Sequence, residues 1–234
     1  HTQILRRARG LVPQPIEIKK TLSCDWFAAG GNKEAVFALG RDNLVYLSQH
    51  FGNLENKKCV ESRNKAMTRM EELLDIHPTD TYAQETERKI QHHHAHMASV
   101  IAEHGLEGNV LGIICDGASQ GDDKTLWGSE FFVTKGKGMF RVGHFSSVKV
   151  FAQDASRKDA DMILLSYMLS AREKGFDTEE FFKELYENND AQQINMQVTA
   201  WENNSNTVYS SSMEHLLDAA AAVLEIGHCN SYDG

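Results

Sequence analysis

Four histidines lie within five positions of the sequence, in the stretch QHHHAHMASV at residues 91–100. Histidine is the commonest protein metal ligand, so this cluster is either a functional site or an accident of composition. On a helix, His92 and His96 stand one turn apart on the same face and could bind one metal ion, whereas His93 and His94 point elsewhere. A polar helix start without any ion is the alternative interpretation.

Two imidazoles need at least one further ligand, and Asp116 is the candidate. It follows the apolar run NVLGIIC, which is typical of a buried strand, and a parallel arrangement would bring the end of that strand toward the start of the helix. Two histidines and one carboxylate that leave open positions form a known catalytic metal pattern. The glutamate of an HExxH motif is absent, so hydrolysis of the zinc-protease type is not expected.

The segment DGASQGDDKTLWG predicts a tight hairpin that is rich in glycine and aspartate. Backbone amides around Gly117 and Gly121 could bind phosphate, and Asp122 could help to bind a divalent ion. An ordinary turn between two strands is the alternative.

Two other reactive residue types have structural explanations. Cys115 lies inside the apolar run, so we expect an inert core thiol rather than a nucleophile. Ser210, Ser211 and Ser212 lack the GxSxG pattern of a hydrolase, and helix capping accounts for them.

The elements that must position these residues come as two rounds of strands and helices. Strand-like runs SCDWFAA, EAVFALG and LVYLSQH precede a helical pattern over residues 57–76. A helix over HHHAHMASVIAEHG, closed by Gly105, begins the second round, and the apolar run, TLWGSEFFVT and GMFRVGHFSSVKVF supply its strands. Residues 155–200 have a polar helical pattern, and the capping-box motif SSME at 211–214 predicts a last helix. The order indicates an α/β or α+β fold with mixed sheets.

Composition narrows the class of function. A formal net charge of −9 argues against a protein whose main role is to bind nucleic acid. The four cysteines form no CxxC pair, so reduced thiols in a cytoplasmic protein are expected. No apolar run approaches the roughly 20 residues that span a bilayer, so we expect no membrane partner.

Five stretches, taken in order, resemble segments of the hydrogenase maturation carbamoyltransferases, the HypF family. They are RRARGLVPQPI, LSQHFGNLEN, IQHHHAHMASVIAEHGL, CDGASQGDDKTLWGSEF and SSMEHLLDAAAAVLEIGHCNSYDG. The resemblance implies an α/β fold of the actin-like ATPase type (ASKHA, RNase H-like), with a mixed sheet flanked by helices and an incomplete second lobe. It implies that residues 1–16 are the tail of, or linker from, a preceding threonylcarbamoyl-AMP-synthase-like domain. Residues 17–234 would then be the first lobe and the start of the lobe connection of the carbamoyltransferase domain.

The resemblance also implies a reaction. Carbamoyl phosphate and ATP would yield carbamoyl adenylate, and the carbamoyl group would pass to the C-terminal cysteine of a partner protein, on the way to the cyanide ligands of [NiFe]-hydrogenase. The HxxxH pair of the wider superfamily falls on His92 and His96, with Asp116 as the following aspartate; together they would hold iron or zinc. That metal would polarise the carbamoyl carbonyl or bridge to a nucleotide phosphate. We expect this chain to be inactive alone.

The sequence departs from the family pattern where phosphate chemistry is expected. The family's Glu-Leu-Lys-Asn appears as Asn-Lys-Glu-Ala at 32–35, its Gly-Gly-Asp as Ala-Gln-Asp at 152–154, and its Gly-Arg as Glu214 and His215. Each change would weaken the binding of a polyanion. Two alternatives stand beside carbamoyl transfer to a protein. One is an antibiotic O-carbamoyltransferase, which shares the domain pair, and the other is a non-catalytic partner-binding module whose altered loops reflect lost ATP chemistry.

Overall fold

The computed structural model describes residues 15–30, 35–78, 90–152 and 159–229. Residues 1–14 of the linker predicted at 1–16 lie outside these ranges, as do the altered positions 32–34, 153 and 154. The chain divides into two compact units, His1–Ile90 with Ala98–Glu107 and Gln91–Met97 with Gly108–Gly234. Within the described ranges, no helix combines the length and the apolar character that a membrane crossing requires.

The first unit is built on an antiparallel sheet. Its elements are β1 (Ile16–Glu17), β2 (Trp26–Ala29), β3 (Phe37–Arg41), β4 (Leu44–Leu47) and α1 (Lys57–Leu74). The strand order is β1-β4-β3-β2. Buried Phe37 and Leu39 of β3 share a core with Met67 and Met70 of α1. The three predicted strands and the predicted helix are therefore confirmed.

The second unit has a mixed sheet and most of the helices. Its elements are α2 (His92–His104), which begins here, β5 (Leu111–Gln120), β6 (Leu126–Lys135), β7 (Gly138–His144), β8 (Val148–Phe151), α3 (Ala160–Glu173), α4 (Glu179–Asn188), α5 (Ala191–Glu202), β9 (Thr207–Ser210) and α6 (Met213–Val223). The strand order is β5-β6-β9-β8, with β7 also paired to β6. Leu126 and Ser210 make a parallel pairing between β6 and β9, and the other pairs are antiparallel. The predicted mixed α/β architecture is confirmed.

Two apolar clusters hold the second unit together. Val148 and Val150 of β8 pack with Ile163 of α3 and Ala219 of α6. A separate cluster joins α3, α4 and α5, and its buried residues include Leu165, Leu169, Phe182, Ile194 and Trp201. The single polar helical pattern expected over residues 155–200 is thus three helices in the described part. The spacing of these apolar residues, rather than the average polarity, determines their packing.

The strand that carries Asp116 differs from the prediction. β5 continues four residues beyond Asp116 and pairs antiparallel with β6, so the expected buried strand in a parallel arrangement is wrong. Leu111 and Ile113 are each 62% exposed, because a strand in an antiparallel sheet can leave one face in solvent. Cys115 is exposed for the same reason, which corrects the expectation of a core thiol.

The start of α6 also differs in detail from the predicted capping box. Ser212 is the N-cap residue, and its hydroxyl accepts a hydrogen bond from the backbone N–H of His215. Ser211 instead donates to the carboxylate of Glu130 at 2.5 Å, and Ser210 contacts His215 Nδ1 at 2.9 Å. The helix forms where the sequence predicts it, but only one of the three serines caps it.

Candidate metal centre

The first turn of α2 brings two of the predicted ligands together. His92 and His96 are four residues apart, and their Nε2 atoms lie 3.0 Å from each other. The two rings meet edge to face with centroids 4.6 Å apart. This proximity follows from helical geometry, which places residues i and i+4 on the same face.

Asp116 reaches the same point from β5. Its Oδ2 lies 2.8 Å from His92 Nε2 and 3.3 Å from His96 Nε2. Its Oδ1 accepts a hydrogen bond of 2.8 Å from the backbone N–H of Gly117. The pairing of β5 with β6 shifts register between Cys115 and Ser119, so Asp116 lies at an irregularity of the strand rather than in a regular ladder.

The three ligand atoms fit a single ion. They are the one group of His, Cys, Asp or Glu side chains in the described ranges whose ligand atoms converge, all within 4.8 Å of one another. Tetrahedral coordination with metal–ligand distances of about 2.0–2.1 Å separates ligand atoms by about 3.3 Å. The separations between 2.8 and 3.3 Å are close to that value. Two imidazole nitrogens and one carboxylate oxygen are a donor set that iron and zinc accept.

The electrostatics of the site keep Asp116 ionised. Burial raises the pKa of its carboxyl, but the close imidazoles of His92 and His96 and the hydrogen bond from the Gly117 N–H outweigh burial and hold the pKa well below its usual range. An ionised carboxylate is the form that binds a cation.

His93 lies closer to the site than helical spacing suggested. Its ring is completely buried beside Trp127, and its Nε2 lies 3.9 Å from Asp116 Oδ2. Burial lowers the pKa of this imidazole, although the charge of Asp116 opposes the shift. His94 packs edge to face on Phe132, away from the carboxylate, as expected.

The residues considered for phosphate binding do not form one surface. Gly121 donates its N–H to the carbonyl of Thr125 at 2.8 Å, and a side chain at Gly121 would collide with the ring of Trp127. Asp122 is exposed in the turn between β5 and β6. Only Gly117 lies beside the metal ligands, and its N–H donates to Asp116.

Glu214 is a residue of this site that motif reasoning did not identify as a participant. Its Oε2 accepts a hydrogen bond of 3.3 Å from the N–H of Ala118, and it would lie 2.9 Å from a Cβ atom at Gly117. A carboxylate from α6 therefore accepts from the Ala118 amide, next to Gly117. In the sequence, this contact is indicated by the replacement of the family's Gly-Arg by Glu214 and His215.

A second polar network fixes β6 behind the ligands. The buried carboxylate of Glu130 accepts hydrogen bonds from Arg141 Nε at 2.5 Å and from the hydroxyl of Ser211. Arg141 also stacks on the ring of Trp127, with its guanidinium carbon 4.1 Å from the ring centroid. Burial raises the pKa of Glu130, but the bonds from Arg141 and Ser211 outweigh it and lower the pKa. The Trp127 ring that covers His93 is thereby held in place.

Family models match most of the chain. The HypF Kae1-like domain matches residues 22–103, and the second subdomain of the carbamoyltransferase Kae1-like domain matches residues 112–234. The chain belongs to the HypF family. The predicted resemblance and the predicted ASKHA-type fold are both confirmed, since solved HypF structures share the fold.

Several HypF proteins are similar to this chain over nearly all of its length. Carbamoyltransferase HypF of Synechocystis sp. is 30% identical, with 98% of this chain and 33% of that protein covered. Carbamoyltransferase HypF2 of Cupriavidus necator is 28% identical, with 100% of this chain and 30% of that protein covered.

Two solved HypF structures are also similar to this chain over nearly all of its length. A crystal structure of full-length HypF in the phosphate- and nucleotide-bound form has a TM-score of 0.80 at 27% identity, and covers 95% of this chain and 30% of that one. The structure of T. kodakarensis HypF has a TM-score of 0.78 at 26% identity, with 98% and 33% covered. The chain spans about one third of the length of the HypF proteins it matches.

Proposed function

We propose that this chain supplies the metal-binding part of a carbamoyltransferase that acts in hydrogenase maturation. The observation that carries the proposal is the convergence of His92, His96 and Asp116 on one point, within a chain of the HypF family. The curated relatives are named carbamoyltransferases. The proposed reaction passes a carbamoyl group from carbamoyl adenylate, made from carbamoyl phosphate and ATP, to the C-terminal cysteine of a partner maturation protein.

Each of the three side chains has a defined task in this reaction. His92 and His96 donate neutral nitrogen ligands, and Asp116 supplies the negative charge that balances a divalent cation. Three protein ligands leave coordination positions open for a substrate oxygen. Iron or zinc bound there would act as a Lewis acid on the carbamoyl carbonyl.

The surrounding contacts support this division of tasks. The N–H of Gly117 holds the Oδ1 atom of Asp116, which leaves Oδ2 directed toward the two imidazoles. Attack by a partner thiolate on the carbamoyl carbon would form the thiocarbamate and release AMP. A cytoplasmic location, where the partner's cysteine stays reduced, belongs to the same proposal.

A chimeric protein tests the proposed function. Residues 1–234 would replace the matching third of Cupriavidus necator HypF2, in a strain that lacks HypF activity. We expect the chimera to restore [NiFe]-hydrogenase activity, and the chimera with His92→Ala and His96→Ala to restore none at the same protein level. A chimera that accumulates to the parental level with metal bound, yet restores no hydrogenase activity, contradicts the proposal.

A second candidate, a partner-binding module without ATP chemistry, is favoured by one observation. The Glu214 carboxylate occupies the Ala118 amide where a phosphate oxygen would otherwise accept, and like charges repel. Titration of the chain with ATP and with inorganic phosphate separates the two candidates.

For the second candidate we expect no ATP binding by the wild-type chain, and phosphate binding at least about tenfold tighter in Glu214→Gly, a gain of about 1.4 kcal/mol. Glu214→Gln keeps the size of the side chain and separates the effect of charge from that of bulk. ATP binding by the wild-type chain with a Kd below about 1 mM would count against this candidate.

A further inference from the structure

The side-chain amide of Gln91 has a fixed orientation at the start of α2. Its Oε1 accepts hydrogen bonds from the backbone N–H groups of His93 at 2.7 Å and His94 at 3.1 Å. These N–H groups belong to the first turn, where a helix offers them no carbonyl partner. Because only the oxygen of the amide can accept, Oε1 and Nε2 of Gln91 are assigned without ambiguity.

The other end of the same amide determines which tautomer His93 adopts. Gln91 Nε2 lies 2.9 Å from His93 Nδ1. An amide nitrogen only donates, so Nδ1 must accept and cannot carry a proton. The proton of the His93 ring is therefore on Nε2, and a doubly protonated ring is excluded.

That Nε2–H group lies near the carboxylate of the metal site. The ring of His93 is fully buried, and its Nε2 forms no hydrogen bond within the described residues. The nearest ion-pair partner is Asp116 Oδ2 at 3.9 Å, the same oxygen that His92 and His96 approach. At this distance the N–H acts on the carboxylate as a dipole, with its positive end toward the negative charge.

We propose that Gln91 and His93 are positioning residues for Asp116. Gln91 holds His93 in the Nε2–H tautomer, and the N–H of His93 supports the Asp116 carboxylate in the orientation that binds a cation. The inference rests on the proposed metal site and adds two residues that do not touch the ion. Residues that orient a metal ligand from behind change metal affinity without being ligands themselves.

The variant Gln91→Glu reverses the tautomer with little change in shape. A carboxylate still accepts from the N–H groups of His93 and His94, so the start of α2 keeps its cap. Its second oxygen also accepts, so Nδ1 of His93 must carry a proton, and a ring that stays neutral then turns the lone pair of Nε2 toward Asp116. The lone pair of His93 Nε2 and the carboxylate of Asp116 then repel each other, and the carboxylate loses the favourable N–H dipole.

Two measurements on the purified chain follow. The ¹⁵N chemical shifts of the His93 ring, at a pH of about 8 where exposed histidines are neutral, report the tautomer without any metal. We expect Nε2–H in the wild type and Nδ1–H in Gln91→Glu. Titration with Co²⁺, followed by its visible absorption, should show an affinity about 10- to 100-fold lower in Gln91→Glu than in the wild type.

An effect of charge alone would change the Co²⁺ affinity in the opposite direction, so the test separates the two explanations. An added carboxylate attracts a cation, so a purely electrostatic effect would strengthen Co²⁺ binding. Ala95→Glu is the matched control, since it adds the same charge at an exposed position of α2. We expect Ala95→Glu to keep the Nε2–H tautomer and to lose no Co²⁺ affinity, with circular dichroism confirming that both variants fold.

Four results would overturn the inference. A wild-type His93 with its proton on Nδ1 does so whether or not metal binds. A Gln91→Glu variant whose His93 keeps a proton on Nε2, as the Nε2–H tautomer or as a doubly protonated ring, does so as well, and so does a variant that binds Co²⁺ as tightly as the wild type. A wild-type chain with the Nε2–H tautomer that takes up no Co²⁺ contradicts the metal site itself, and the positioning role fails with it.

Discussion

At the scale of single residues, Asp116 decides the chemistry of the site. Its carboxylate is the only negative charge in the cluster of converging ligand atoms within the described residues. The imidazoles of His92 and His96 contribute no charge when they bind a metal. Loss of the Asp116 charge should therefore affect metal affinity more than loss of an orienting contact.

The variant Asp116→Asn tests this charge while keeping the shape of the side chain. We expect its Zn²⁺ or Fe²⁺ affinity to fall by more than the roughly 10- to 100-fold that is typical when a contact that orients a metal ligand is lost. Competition against a chelator of known affinity measures the change. Asp122→Asn removes the same charge from the exposed turn and should leave metal affinity unchanged, and an equal loss in both variants would contradict the role given to Asp116.

Residue spacing was sufficient to predict that His92 and His96 lie side by side, and insufficient to predict the contacts of Gln91 and His93. The pairing of His92 with His96 depends only on the turn of one helix, which the sequence carries locally. The contact of His93 with Asp116 depends on how β5, β6 and the ring of Trp127 pack around it, and the Gln91 bond depends on a rotamer. Sequence patterns reveal neither this packing nor this rotamer, so the contacts of Gln91 and His93 were not predicted.

At the scale of elements, α6 carries two carboxylates on one face. Glu214 and Asp218 are one turn apart, and Asp218 Oδ2 is buried with no hydrogen bond among the described residues. Burial, with a further contribution from the charge of Glu214, raises the pKa of Asp218 from its ordinary 3.8 to about 6. Ionisation of Asp218 therefore opposes folding.

The consequence is a pH-dependent effect of Asp218→Asn. Because the folded pKa exceeds the unfolded one, the wild type keeps its full stability below about pH 4 and loses part of it as pH rises through about 6. We expect Asp218→Asn to raise the free energy of unfolding by about 1 kcal/mol at pH 7.5, less than the full shift would give because solvent screens a partly exposed group. Urea unfolding at pH 4 and at pH 7.5 measures it.

The control for this prediction is Glu184→Gln, which removes one negative charge from an exposed position in the middle of α4. It corrects for the general effect of reducing the net charge. An Asp218→Asn variant whose stability relative to the wild type is the same at both pH values would contradict the assignment of an unfavourable buried carboxylate.

The ends of helices could be predicted where they depend on residues that are neighbours in the sequence. Gly105 closes α2 with a φ of +55°, a conformation that glycine adopts readily, and the sequence pattern placed the end there. The exposure of β5 was not predictable, because an apolar run looks the same in a buried strand and in a half-exposed one. The partner of a strand and the face it leaves open depend on the whole sheet.

At the scale of the whole molecule, the resemblance to the HypF family predicted more about function than the amino-acid composition did. The net charge of −9 argues against a main role in binding nucleic acid but favours no reaction. The HypF models account for both parts of the chain, and the two units each contain a sheet with packed helices. The proposed carbamoyl transfer depends on the proposed metal site, so metal content is the quantity to measure first.

Metal content of the chain, purified without a histidine tag and analysed by mass spectrometry, tests that central claim directly. We expect close to one equivalent of iron or zinc in the wild type, and none in the variant with both His92→Ala and His96→Ala. Thermal melting of both proteins without metal verifies that the variant folds. A folded wild-type chain that retains neither metal after exposure to each, or a double variant that retains as much as the wild type, would contradict the account.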